Sequence, residues 1–181
     1  VTAQNNADAN NRGDFFYAPP TSGFLALCSA NLPETTISPN ATTQADDHFN
    51  AIIYSGNGAN SHGITGVNFQ PDFVWIKARN QNSSHYLVDS VRGTGTGDSF
   101  RVLLTESTDA EYTSENDQLR TLDSDGFTLD DNSDTDFYVN RGSDTYVAWN
   151  WKAGTTSGID TTGQDITPSG YSFNQDAGFS I

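Results

Sequence analysis

Four oxygen-bearing side chains recur every second residue late in the chain: Asp130, Asn132, Asp134 and Asp136. Hard cations such as Ca²⁺ take six to eight oxygen ligands, and this spacing is close to that of a calcium loop. The loop is no EF-hand, because the glycine position holds Thr135 and the twelfth position holds Arg141. An acidic hairpin tip in solvent is the plainer alternative. Asp123-Ser124-Asp125-Gly126 is a second fragment of the same pattern.

A carboxylate pair suited to glycoside hydrolysis must point two groups into one cleft. Glu106, Asp109 and Glu111 are the candidates, and on a strand only Asp109 and Glu111 share a face. A solvated acidic loop explains them as well. Gly97-Asp98-Ser99 matches the start of an esterase signature. The three histidines (His48, His62 and His85) all precede Ser99, however, so the late base that such enzymes need is missing. Arg12-Gly13-Asp14 and the acceptor patterns at Asn40 and Asn82 are short enough to arise by chance. No catalytic residue is assigned.

Aromatic residues are the best binding candidates. Trp149 and Trp151 share one face of a strand with Val147, opposite Ala148, Asn150 and Lys152. In a chain poor in Leu and Ile the tryptophan face is expected to be the core. The alternative is a sugar-stacking platform on an exposed face, to which Tyr138, Tyr86 or Tyr112 would add.

Short strands must position these groups. Phe49–Tyr54, Phe73–Ile76, Tyr86–Val88, Phe100–Leu104, Leu119–Leu122, Phe127–Leu129, Phe137–Val139 and Thr145–Lys152 are separated by Gly, Asn, Asp and Ser turns. That spacing predicts an all-β protein, an antiparallel β-sandwich of jelly-roll type. Phe73-Val74-Trp75-Ile76 is apolar on both faces and reads as a central strand. Residues 109–119 are the one stretch with helical character, and it lacks an apolar stripe. Cys28, the only cysteine, falls in the apolar run from Phe24 and is expected to be buried and inert.

Eight basic residues against 23 acidic ones give a net charge of −15. A surface of that sign repels phosphate backbones and anionic lipid, so neither nucleic-acid binding nor lipid docking is expected. No apolar run approaches the ~18 residues needed to span a bilayer, so membrane insertion is not expected either. Methionine is absent even at position 1, which reads as a processed, trimmed or excised segment of a longer chain.

Several stretches carry a resemblance. Asp14-Phe15-Phe16-Tyr17-Ala18-Pro19-Pro20, Gly23–Cys28 and Asn31-Leu32-Pro33 resemble the end of a SPRY-type module in structural proteins of marine tailed phages. Phe69–Lys77, Leu87–Gly93, Asp125–Leu129 and Tyr146–Gly154 resemble the concanavalin A-like (lectin/glucanase-type) sandwich that follows it in those proteins. The resemblance implies a SPRY-like tail over 1–34, a linker over 35–47, a sandwich over 48–154, a second linker over 155–170 and the start of another β module over 171–181. It also implies a non-enzymatic virion protein, a tail fibre or appendage or a capsid-attached fibre or decoration, exposed on the particle surface. Its expected partners are other virion proteins, further copies of itself and host-surface glycan. No cofactor is expected apart from Ca²⁺, if the acidic loop takes one.

Overall fold

The computed structural model describes residues 6–15, 17, 24–32, 37, 42–95, 100–112, 118–130 and 138–181. The chain divides into two compact units, Val1–Thr36 and Ile37–Ile181.

The larger unit is an antiparallel β-sandwich. Its strands are β1 (Phe49–Ser55), β2 (His62–Thr65), β3 (Phe73–Ala78), β4 (Tyr86–Asp89), β5 (Leu103–Leu104), β6 (Leu119–Asp123), β7 (Gly126–Leu129), β8 (Thr145–Trp151), β9 (Phe173–Asn174) and β10 (Phe179–Ser180). One sheet has the order β1-β8-β3-β4-β5 and the other β2-β7-β6, while β9 and β10 form a separate hairpin. Helical structure among the described residues is confined to single 3₁₀ turns at Ser29–Asn31 and Ala45–Asp47.

Side chains alternate across a strand, so register decides what meets in the core. In the five-stranded sheet, Ile52 on β1 lies opposite Ala148, which lies opposite Ile76, and Ile76 opposite Tyr86, which in turn faces Leu104. Tyr54, Tyr146 and Ala78 make the next inward row. The three-stranded sheet supplies Ile64, Phe127, Leu129 and Leu119, all essentially enclosed. Tyr54 bridges the layers, stacked on Tyr146 at 5.1 Å and edge-on to Phe127 at 6.0 Å. Its hydroxyl donates to the Val139 carbonyl at 2.8 Å, so the buried polar tip is satisfied.

Three local expectations are corrected. Tyr138–Asn140 is irregular chain, not a strand, and Phe137 lies outside the described residues. Side chains stitch that segment in place of a ladder: Asn140 accepts from the Asn57 N–H and donates to the Ala59 and Asp130 carbonyls. The ladder after Phe100 is only Leu103–Leu104, with Phe100 and Val102 in isolated bridges to Thr94 and Tyr112. Residues 109–112 are not helical, because Tyr112 bridges to Val102; residues 113–117 are outside the described set. Residues 171–181 hold the β9–β10 hairpin, and Phe173 also bridges to Thr155.

In the smaller unit a tight turn brings Ala7 opposite Asp14. Asp8 is its hub. Its carboxylate accepts from the backbone N–H groups of Asn10, Arg12 and Ala26 and from the Asn31 amide. Of the run Phe24–Cys28 only Ala26 is buried; Leu27 is 98% exposed and Cys28 is half-buried, not enclosed as expected. The run is too short to bury more than one side chain against so small a unit.

Candidate functional site: an aromatic face outside the five-stranded sheet

The tryptophan face of β8 is the outer one. Tyr146, Ala148 and Asn150 are fully enclosed, while Val147, Trp149 and Trp151 are only partly buried. The expectation of a tryptophan core is therefore corrected. The inner face is filled by Val, Ile and Tyr, with Ala148 leaving room for the large rings around it. Asn150 is tolerated inside because its amide donates to the Asn50 and Ala148 carbonyls.

Register assembles the outer face into rows. Trp149 sits between Ala51 on β1 and Trp75 on β3, and the row continues through Leu87 to Leu103. The adjacent row runs Phe49, Trp151, Phe73. Trp75 and Trp149 meet with ring centroids 5.1 Å apart. Trp151 touches Phe49 at 4.9 Å and Phe73 at 5.2 Å. From β10, Phe179 stacks on Trp151 at 5.9 Å and meets Phe73 edge-on at 5.7 Å. Between these rings lies an apolar hollow of about 330 Å³ lined by Phe73, Trp75, Leu87, Thr105, Trp151 and Phe179. A second hollow of about 540 Å³ shares Phe179 and adds Ile159, Pro168, Tyr171 and Phe173. The indole N–H of Trp75 is enclosed with no acceptor among the described residues. The signal for this face was in the sequence, since Phe73 and Trp75 alternate with Val74 and Ile76 on a strand apolar on both sides.

The other candidates are placed as follows. Asp130 is enclosed, its carboxylate accepting from the Ser61 N–H at 2.7 Å and pairing with Arg120 at 2.8 Å. Both oxygens thus tie loop 61 to strand β6. Asn132, Asp134 and Asp136 lie outside the described residues, and among the described residues no group of three metal-ligating side chains converges. Asp123 accepts from the Thr128 hydroxyl, and Asp125 from the backbone N–H groups of Gly66 and Asn68. Those two carboxylates fix turns.

Tyr138 carries the Arg141 guanidinium over its ring at 4.3 Å, and Arg141 also pairs with Asp144 at 2.6 Å. Tyr86 is buried in the core at 3% exposure, so it is no loop platform. Tyr112 is exposed.

Glu106, Asp109 and Glu111 each have a different partner. Glu106 accepts from the His85 backbone N–H at 2.9 Å. Burial opposes its ionisation, but hydrogen bonds from Ser84 and His85 outweigh that and lower its pKa, the wrong direction for a general acid. Asp109 closes a turn with Ser107. Glu111 pairs with Arg101 at 3.1 Å and Arg92 at 3.6 Å. Gly97-Asp98-Ser99 lies outside the described residues. In the Arg12-Gly13-Asp14 tripeptide, the arginine side chain donates to the Ala30 carbonyl at 2.7 Å.

Fold and site together define an antiparallel β-sandwich with an aromatic face on one outer side. The chain belongs to the family described as a domain of unknown function (DUF7483), whose model matches residues 44–181. No curated protein and no solved structure matches it.

Proposed function

We propose that this chain is a non-enzymatic structural and adhesive module of a tailed-phage virion, displayed on the particle surface in a fibre, appendage or decoration. It works through repeated protein–protein contacts. The observation that carries the contact role is the outer face of Phe49, Trp75, Trp149, Trp151 and Phe179, whose two aromatic register rows hold no lysine or arginine. Partly exposed aromatic rings cluster where protein interfaces have their energetic centres. In a multicopy particle even a modest contact gains through multivalency. The virion setting rests on the resemblance of the Phe69–Lys77 and Tyr146–Gly154 stretches.

Immunogold labelling of gradient-purified particles with antiserum to the chain tests this. A discrete labelled surface feature is expected. Unlabelled particles, with antigen left in the lysate, refute the virion setting.

One observation favours a second reading, a carbohydrate-binding module: Trp149 and Trp151 face outward, as a stacking platform requires. Titrating host-surface polysaccharide against tryptophan fluorescence tests it. A saturable change lost in Trp149→Ala supports glycan binding, and an unresponsive spectrum removes it.

A further inference from the structure

Residues 48–71 contain no Asp, Glu, Lys or Arg, in a chain with 31 charged residues among 181. Two strands lie in that run, and both are edges: β1 ends the five-stranded sheet and β2 ends the three-stranded one. Proteins ordinarily guard edge strands with lysines, prolines, bulges or inward charges, because unpaired backbone groups recruit other strands. β1 has none of these guards. Its register against β8 runs unbroken from Phe49 to Ser55, and Ile53 is 64% exposed.

The ladder shows which backbone groups are open. The Lys152 N–H donates to His48 and the Gly56 N–H to Asp144, so the bonded pairs with β8 fall on Asn50, Ile52 and Tyr54. The N–H and C=O groups of Phe49, Ala51, Ile53 and Ser55 point to the free edge, with no partner among the described residues.

We propose that β1 is a self-pairing edge, where two copies of this chain join antiparallel about a two-fold axis and merge their five-stranded sheets. Only residues with open groups can bond. Setting Phe49 opposite Ser55 and Ala51 opposite Ile53 of the second copy uses all of them. Ile53 then covers Ala51 of the second copy on the outer face, a favourable cross-strand pair. Charge selects this edge too. Two chains of net charge −15 repel, yet β1 itself brings no Asp or Glu to the junction. Because repulsion comes from the rest of the surface, added salt strengthens pairing. This inference deepens the assembly reading and rests on it, by naming a second copy as one partner.

Sedimentation of the full chain over a concentration series, at low and high salt, tests it. A dimer that grows with concentration and with salt is expected. Ala51→Pro removes only an open-edge N–H, which an edge strand tolerates, and Ile53→Lys places a charge at the junction. Each is expected to give a monomer with unchanged far-UV circular dichroism. Hydrogen exchange of the wild-type chain gives an independent measure. The Ala51 and Ile53 amides should slow by about tenfold or more between dilute and concentrated samples. A monomer at every concentration, dimeric folded variants, or concentration-independent exchange at Ala51 and Ile53 overturns self-pairing. A monomer that still labels particles overturns it while leaving the virion reading intact.

Discussion

Trp75 and Trp149 occupy directly opposed positions on β3 and β8, with rings 5.1 Å apart and tilted by 44°, on the outside of the sandwich. The next residue back on β8 pairs Ala148 with Ile76 inside. A single residue step therefore separates the outer aromatic face from the core.

That step predicts unequal costs of truncation. Tyr146 is fully enclosed and stacked on Tyr54, so Tyr146→Ala should destabilise by about 3–5 kcal/mol, as large aromatic deletions in cores do. Trp149→Ala loses a half-buried ring and its aromatic pair, about 1–2 kcal/mol. Urea unfolding of the two variants measures the difference. Equal losses would mean that the Trp149 face is packed as a core.

The sequence made the sharing of faces readable but not which face was inside. Alternation put Trp149 with Trp151 and Ala148 with Asn150, because strand period depends on backbone geometry alone. Which set meets the second sheet depends on tertiary packing. Here Ala148 and Asn150 are the ones turned inward, opposite Ile76 and Val74. β2 was missed because His62-Gly63-Ile64-Thr65 has one apolar residue and a glycine, leaving no alternation to detect. Asp130 was legible as an oxygen donor, but its Arg120 partner sits across a hairpin that spacing alone does not register.

Gly126 opens β7 at φ +133, a region that L residues rarely adopt. A Cβ there would lie 2.0 Å from the Ile64 carbonyl oxygen on the paired strand β2. Gly126→Ala should therefore cost about 3 kcal/mol or more, through backbone strain and a displaced ladder. The loss should appear in chemical denaturation and as faster amide exchange along β2. Wild-type stability in this variant would mean that the β2–β7 approach is looser than described.

Alkali should unfold the sandwich through its tyrosines. Burial raises Tyr54 well above 10, reinforced by its neighbours Tyr146 and Tyr86. Burial also raises Tyr146 to about 12, against the opposing N–H of Arg141. The folded state thus favours the neutral phenols. Their contribution is complete below the ordinary tyrosine value of 10 and is lost as pH climbs through about 12. An absorbance titration of phenolate formation should show a late phase that coincides with loss of near-ultraviolet dichroism. Tyr54→Phe should reduce that phase and cost about 1 kcal/mol at neutral pH, for the bond to Val139. Ionisation of every tyrosine before the dichroism changes would contradict the buried placement of both.

Acid should act first on the small unit, through Asp8. Enclosure works against its charge, but the Arg12 N–H, the Asn31 amide and the Ala26 N–H outweigh it and lower the carboxyl from 3.8 to about 2. An unfolded Asp8 takes its proton near 3.8 and a folded one only near 2, so folding favours the ionised form. The stabilisation is therefore whole above pH 4 and fades between about 4 and 2. In a pH series of amide spectra, the Arg12 and Ala26 signals should move to random-coil positions across that window. Asp8→Asn keeps the size but supplies one acceptor oxygen where the carboxylate offers two. It should therefore loosen the turn at neutral pH and abolish the acid transition at these two amides. Sharp, unmoved Arg12 and Ala26 signals down to pH 2 in the wild-type chain would show that Asp8 is not what holds the turn closed.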